Sequence, residues 1–341
     1  MFLAHVRGHV EFGDAGMPAL AFLQMLDGEA LGRDAVDALR DIMVREHVNE
    51  SMLVGPDAQV PLRWFKEIYP DFNVDHGTRL GFAFAEHAKL TSFGALSVPL
   101  VSAGSVAEVV ELLAYLPVIT TALSPSFHSN QRGLTIGLTG RTGDVGLNCL
   151  AVTYGGLALL RMLDMLAGVV PSVELHLSHS APAGRVLDAE TLTGRLFFGA
   201  PTSFIHVPVD TLDEVCRFSD PVAYRIAVAD LRRVLERRRD ASFTEQIRQL
   251  LEKDPAQASS SRAAGEFSMS TSTLKRRLSE EGTTFRELRQ TFMQERAIVR
   301  LLDRSVSISE VAAELGYNDL TNFTHAFKRW TGRSPSYFRR P

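Results

Sequence analysis

Across residues 17–44 the apolar positions recur three and four apart: Leu20, Leu23, Met25 and Leu26, then Val36, Leu39, Ile42 and Met43. This spacing predicts two amphipathic helices, with Asp27-Gly28 and Gly32 supplying the break between them. Further helices are expected over 61–69, with Pro61 in the first turn, and over 106–116, stopped by Pro117. Alternating or short apolar runs predict strands over 93–100, 122–128, 134–139, 173–179 and 204–209. The segment Ser129-Asn130-Gln131-Arg132-Gly133 joins two alternating runs and reads as a hairpin loop. After Pro208 the strand signals stop, and helical periodicity runs to the end, beginning with 222–239. Residues 254–261 interrupt it with a proline and then offer serine caps. The pattern predicts a mixed α/β sensory or dimerisation domain over 1–218, a helical connector over 219–240 and an all-α domain over 241–341.

The last domain carries two readable units. Ser307 lies three residues before Glu310, the spacing of a capping box. Val311 and Leu315 then face a core, Ala312 is small enough for a close helix crossing, and Gly316 permits a left-handed turn. In the following helix Phe323, Phe327 and Trp330 make an inward stripe. Leu320, Thr321, Thr324, His325 and Lys328 are left outward, the arrangement of a helix that reads a major groove. About fifty residues upstream the same grammar appears, with Ser270 as N-cap, Leu274 and Leu278 inward, and Ser272, Lys275 and Arg276 on the opposite face. Between the units, 285–302 reads as one long helix with Leu288, Phe292, Ala297 and Leu301 inside. It would hold two helix-turn-helix readers at a set separation.

Charge sharpens this division. The 341 residues carry a net charge of −4, yet the segment from Ala241 onward has 16 Lys+Arg against 12 Asp+Glu, leaving the rest at −8. The basic end is the end expected to face duplex DNA. Lys328 and Arg329, late in the second reader, are placed to meet phosphates. Arg277 is expected to pair with Glu280 or Glu281, and Arg237, Arg238 and Arg239 to lie on a solvated connector or against phosphate.

The C-terminal hundred residues resemble the DNA-binding domain of the AraC/XylS family. The motifs are Thr273-Leu274-Lys275-Arg276-Arg277-Leu278 with Glu281-Gly282, Val311-Ala312-Ala313-Glu314-Leu315-Gly316-Tyr317, and the run from Phe323 to Pro335. The resemblance implies base or phosphate contacts for Ser272, Lys275 and Arg276 in the first reader and for Leu320, Thr321, Thr324 and His325 in the second. Gly265 and Ser259-Ser260-Ser261 depart from the pattern and imply a short first scaffold helix. Gly94-Ala95-Leu96-Ser97 with 105–116, and Phe197-Phe198-Gly199-Ala200-Pro201 with Phe204, resemble the arabinose-binding-type N-terminal domain of the ornithine- and virulence-regulator branch. That resemblance implies a half that senses a small-molecule effector or associates into a homodimer, in a regulator with RNA polymerase as a partner; the two unrelated cysteines and the N-terminal composition point to the cytoplasm.

Other chemistry is weaker. His176 and His179 are three apart in a strand and face opposite ways, while His5 and His9 flank Gly8 near the terminus, so neither pair is taken as a metal site. Ser178-His179-Ser180 and Asp188 lack a nucleophile elbow. Cys149 and Cys216 stand in unrelated contexts, and no cofactor or catalytic residue is assigned. The apolar stretch 147–170 includes Asn148, Arg161 and Asp164 and reads as a buried helix, not a membrane span. Trp64, Phe82, Phe84 and Phe93 are either pocket or core, with core the better reading. Two readings of the first half stay open, an effector sensor or a module that only dimerises or binds a protein. An enzyme fused to a DNA reader is the weakest.

Overall fold

A computed structural model describes residues 14–27, 31–170, 172–182, 195–253, 255 and 258–339, with the backbone alone for 238–241. His5, His9 and Asp188, and the side chains of Arg238 and Arg239, lie outside that description. In chain order the elements are β1 (Gly16–Pro18), α1 (Ala19–Leu26), α2 (Arg33–Arg45), α3 (Glu50–Leu53), β2 (Gln59–Pro61), α4 (Arg63–Ile68) and α5 (Val74–Glu86). A 3₁₀ turn over Leu90–Leu96 leads into α6 (Ser97–Ser102) and α7 (Val106–Glu111), followed by a second 3₁₀ turn, Leu112–Val118. Then come β3 (Leu123–Asn130), β4 (Gly133–Gly140), α8 (Val145–Ala167), β5 (Glu174–Leu177), β6 (Leu196–Phe198), β7 (Phe204–Pro208) and α9 (Val209–Leu212). The remainder is helical: α10 (Pro221–Ala241), α11 (Phe243–Lys253), α12 (Ser260–Glu266), α13 (Thr271–Glu280), α14 (Phe285–Leu302), α15 (Ile308–Glu314) and α16 (Leu320–Thr331), with a closing 3₁₀ turn Pro335–Arg339.

Among the described residues five strands form one sheet in the order β3-β4-β7-β5-β6, antiparallel except for the β5–β6 pair. Its inner face, including Ile136, Leu138, Leu175, Leu177, Ile205 and Val207, is buried against helices. Helix α8 is the spine of this half. It is long and apolar enough to cross a membrane, but 78% of its most apolar window is buried inside the protein, which is the condition of a core helix. It can lie against α5 because Gly77 meets the Gly146 backbone; a Cβ on Gly77 would stand 2.0 Å from the Gly146 carbonyl oxygen. Two smaller cores follow from Phe243 onward, one around Ile247, Leu251, Leu274 and Leu278, the other around Met293, Val311, Phe323 and Phe327. Helix α10 packs Leu231 and Leu235 into the core of the first half.

Several local expectations change. Residues 93–100 form the end of a 3₁₀ turn and the start of α6 instead of a strand, kinked at Gly94 with φ +51°. Their apolar run is buried by surrounding helices, and a continuous apolar run does not itself choose between strand and helix. Pro61 ends β2, and α4 starts only at Arg63. Helix α7 gives way to 3₁₀ geometry at Leu112, and Pro117 lies within that turn. The hairpin is tighter than read, since Asn130 pairs with Gly133 and only Gln131-Arg132 turn. Helix α5 and the small β1–β2 pair carry no expectation from the pattern.

The two halves are docked through the outer face of the sheet. A Cβ on Gly137 of β4 would lie 2.7 Å from the Val299 side chain of α14. His128 Nε2 of β3 is 2.8 Å from Asp303 Oδ2, just past the end of α14, and Arg300 Nη1 is 3.1 Å from His128 Nε2. Arg141 Nη2 stands 3.0 Å from Glu295 Oε1. Arg300 also pairs with Glu314 of α15, its Nε donating at 2.6 Å to Oε2.

Candidate nucleic-acid interface

Each reader is built on its own core by capped helices. Ser259 caps α12 by accepting from Arg262 N, so the serine run starts the helix despite its poor propensity; at seven residues the helix is short, as Gly265 implies. Ser270 caps α13 by accepting from Thr273 N at 3.1 Å. Leu274 and Leu278 enter the core with Ala263, Ala264 and Ile247. Ser272, Lys275 and Arg276 are exposed and share one open face with Ser279 and Glu280. Ser279 was not singled out in the sequence and Glu280 only as a partner for Arg277, although both continue the same stripe at the next turn. Arg276 Nε lies 3.8 Å from Glu280 Oε1, an exposed i,i+4 pair that is weak and leaves the guanidinium free to move to a phosphate or base.

Arg277 makes a different contact from the expected one. Its guanidinium lies over the Phe243 ring at 5.4 Å, and Glu281 instead caps α11. The Glu281 carboxylate accepts from Phe243 N at 2.7 Å and Thr244 N at 2.8 Å. Burial pushes that carboxyl upward, but the bonds from Thr244, Phe243 and Ser242 outweigh it and hold it below its ordinary range. A carboxylate at a helix N-terminus also meets the positive end of the helix dipole. This long-range cap ties the recognition helix of the first unit to its support.

In the second unit Ser307 and Glu310 form the reciprocal capping box. Leu315 ends α15 and Gly316 takes φ +80°. Asp319, unremarked in the sequence, caps α16 by accepting from Asn322 N at 2.7 Å. Phe323 and Phe327 are fully buried, with Tyr317 edge-on to Phe323, while Trp330 is only half-buried at the border of the stripe. Leu320, Thr321, His325, Lys328 and Arg329 are exposed and Thr324 is half-buried. Leu320 is 43% exposed, a large apolar side chain held in solvent at the first turn of the helix.

Helix α14 sets the geometry between the units. A second capping box, Thr284 with Glu287, starts it. Leu288 belongs to the first core, Met293, Ala297 and Leu301 to the second, and Phe292 packs against both. Its 18 residues span about 27 Å at 1.5 Å per residue.

Gly316→Val should loosen the second unit at its turn. A β-branched residue at φ +80° is strained by about 1–2 kcal/mol or more. The check is a lowered melting temperature with weakened DNA affinity; unchanged values would remove Gly316 from the role of turn residue.

Elsewhere, Trp64 and Phe82 lie in the main core, whereas Phe84 and Phe93 also border a cavity. His176 of β5 stacks between Phe197 and Phe204, at 4.6 and 4.3 Å, and His179 Nε2 is 3.1 Å from Thr153 Oγ1. Burial pushes the Cys149 thiol up to about 11, which keeps it protonated and unreactive at neutral pH.

Residues 32–215 match the family model described as the arabinose-binding domain of the AraC transcription regulator, N-terminal, and 263–341 match a helix-turn-helix domain. An uncharacterized HTH-type transcriptional regulator of Mycobacterium tuberculosis is 32% identical over 145 residues, 42% of each chain. The ornithine utilization regulator of Pseudomonas aeruginosa is 26% identical over 169 residues, 49% of this chain and 50% of that one. The matched region thus spans about half, or less, of the length of these relatives. The crystal structure of the transcriptional regulator CdpR from Pseudomonas aeruginosa aligns over 91% of this chain and 99% of that one, at 22% identity and a TM-score of 0.40.

Proposed function

The chain belongs to the AraC family of transcriptional regulators, and on that premise we propose that it reads two successive major grooves from one side of duplex DNA. The observation that carries this reading is the pair of exposed recognition faces, on α13 and α16, each on a separate core and joined by the rigid α14. Ser272, Lys275 and Arg276 serve one groove, and Leu320, Thr321, Thr324 and His325 the other. Lys328 and Arg329, a turn or more along α16, serve phosphates. The chain divides at the connector: 1–218 senses or dimerises, 219–240 connects and 241–341 binds DNA. The first half is the effector-responsive part, acting by stabilising one arrangement of the docked halves over another. The chemistry proposed is binding, not catalysis, and RNA polymerase and a second copy of the chain are the macromolecular partners.

Binding of variants to a DNA library mutated at every site position tests the two-groove reading. Arg276→Ala should cost about 1–3 kcal/mol and relax specificity at one end of the site. His325→Ala should do so about ten base pairs away. Lys328→Ala with Arg329→Ala should weaken all sequences alike and flatten the salt dependence. Loss of specificity at the same base pairs in the Arg276 and His325 variants would refute the arrangement.

A further inference from the structure

The interior of the first half holds a cavity of about 70 Å³, walled by α8, β1, the two 3₁₀ turns and residues of α5, α6, α7, β3 and β4. Its walls are almost wholly aliphatic and aromatic, Phe84, Phe93, Leu112, Leu116 and Met162 among them, and only two lining side chains carry a hydroxyl. Thr120 is already committed, with Oγ1 donating to the Gly16 carbonyl at 2.6 Å and accepting from Ala122 N at 3.1 Å. Tyr154 is not: it is 7% exposed, and its buried Oη has no hydrogen-bond partner among the described residues. A buried hydroxyl without a partner is costly and calls for an explanation. Burial also pushes the Tyr154 phenol upward, so it stays neutral and able to donate or accept.

We propose that this cavity is a ligand site for a small, largely apolar molecule carrying one hydrogen-bonding oxygen, which pairs with Tyr154 Oη. The assignment rests on the reading that the first half takes an effector, and it names the chemical class. A pentose does not fit that class. It carries oxygen on nearly every carbon, and aliphatic walls with a single unpaired hydroxyl would leave most of those groups desolvated and unpaired. An apolar body gains from the same walls, and one oxygen matches the one unpaired hydroxyl.

The present volume is below the roughly 150 Å³ of a cavity that admits benzene, so a ring enters only if a wall gives. Two walls are built to give. Phe93 and Leu96 ride on a 3₁₀ turn with non-helical geometry at Phe93 and Gly94, and Leu112 and Leu116 on a 3₁₀ turn containing Pro117. Such turns have poorer hydrogen bonding than an α-helix. Among the lining residues Phe93, Leu113 and Gly155 retain partial exposure.

Thermal unfolding of the full chain with phenol, benzene and L-arabinose tests the assignment. Phenol should raise the melting temperature saturably and L-arabinose should not. Tyr154→Phe keeps the ring and should weaken phenol about tenfold while leaving benzene unchanged. Leu116→Trp, which fills the space, should abolish both responses. Equal phenol binding in wild type and Tyr154→Phe, no phenol binding, or stabilisation by L-arabinose alone would overturn the site. Phenol binding of the expected pattern with DNA affinity unaltered would uphold the cavity and overturn the effector reading.

Discussion

Phe327→Ala is expected to abolish reading by the second unit while leaving the first unit folded. The Phe327 ring is fully buried and meets Phe323 at 5.6 Å, Trp330 at 6.5 Å and Phe338 at 5.2 Å between centroids. Truncating such a ring costs about 3–5 kcal/mol through lost burial and the cavity left behind. That is as much as a core of this size supplies, since small cores rarely contribute more than about 3–5 kcal/mol net. The first unit has its own core around Ile247, Leu251, Leu274 and Leu278, which shares only the half-buried Phe292 with the second. Amide exchange should therefore accelerate in α15 and α16 but not in α13. The DNA footprint should shorten from two grooves to one. A full-length footprint with native exchange in α16 would refute the placement of Phe327.

Asp303→Ala should release the second unit from the sheet. The Asp303 carboxylate is buried between the halves, accepting from Ser305 N at 2.9 Å and Ser305 Oγ at 2.6 Å, with His128 Nε2 at 2.8 Å. Arg300 Nη1 lies 3.6 Å away. Removing it leaves His128 and part of Arg300 facing no acceptor, at a cost of about 2–3 kcal/mol. A double-mutant cycle with His128→Ala isolates the share that crosses between the halves, because the two residues are on different ones. Additive effects would show that the pair does not hold the docking.

The same carboxylate gives a pH dependence with a definite sign. Burial pushes Asp303 upward, but the bonds from Ser305, His128 and Asn130 outweigh it and hold it well below its ordinary 3.8. A group depressed by folding contributes stability that is complete above its unfolded value and lost as pH falls through the folded one. Glu314, lowered chiefly by its bond from Arg300, acts in the same direction from 4.5 downward. Denaturant midpoints should thus fall on acidification below about pH 4.5, more steeply in wild type than in Asp303→Asn. Parallel profiles would remove Asp303 from that account.

Sequence alone determined the elements whose causes are local. The caps at Ser270 and Ser307, the stripes Leu274–Leu278 and Phe323–Phe327, and the left-handed Gly316 are each set by residues within four positions of one another. Helix periodicity and capping act over that range, so both readers and their outward faces were legible. The alternating strands of the hairpin were legible for the same reason. Tertiary structure decided the rest. The apolar run at 93–100 is surrounded by core, and only its neighbours select a 3₁₀ turn and helix over a strand. In α5, Gly77 weakens the helix signal, yet it is the point at which α8 approaches. His128 and Asp303 are 175 residues apart, as Glu281 and the α11 cap are 37 or more, and no periodicity spans such distances. The cavity and the unpaired Tyr154 hydroxyl arise where segments far apart in the chain meet, and side-chain packing among distant segments is the one property that a pattern along the chain does not encode.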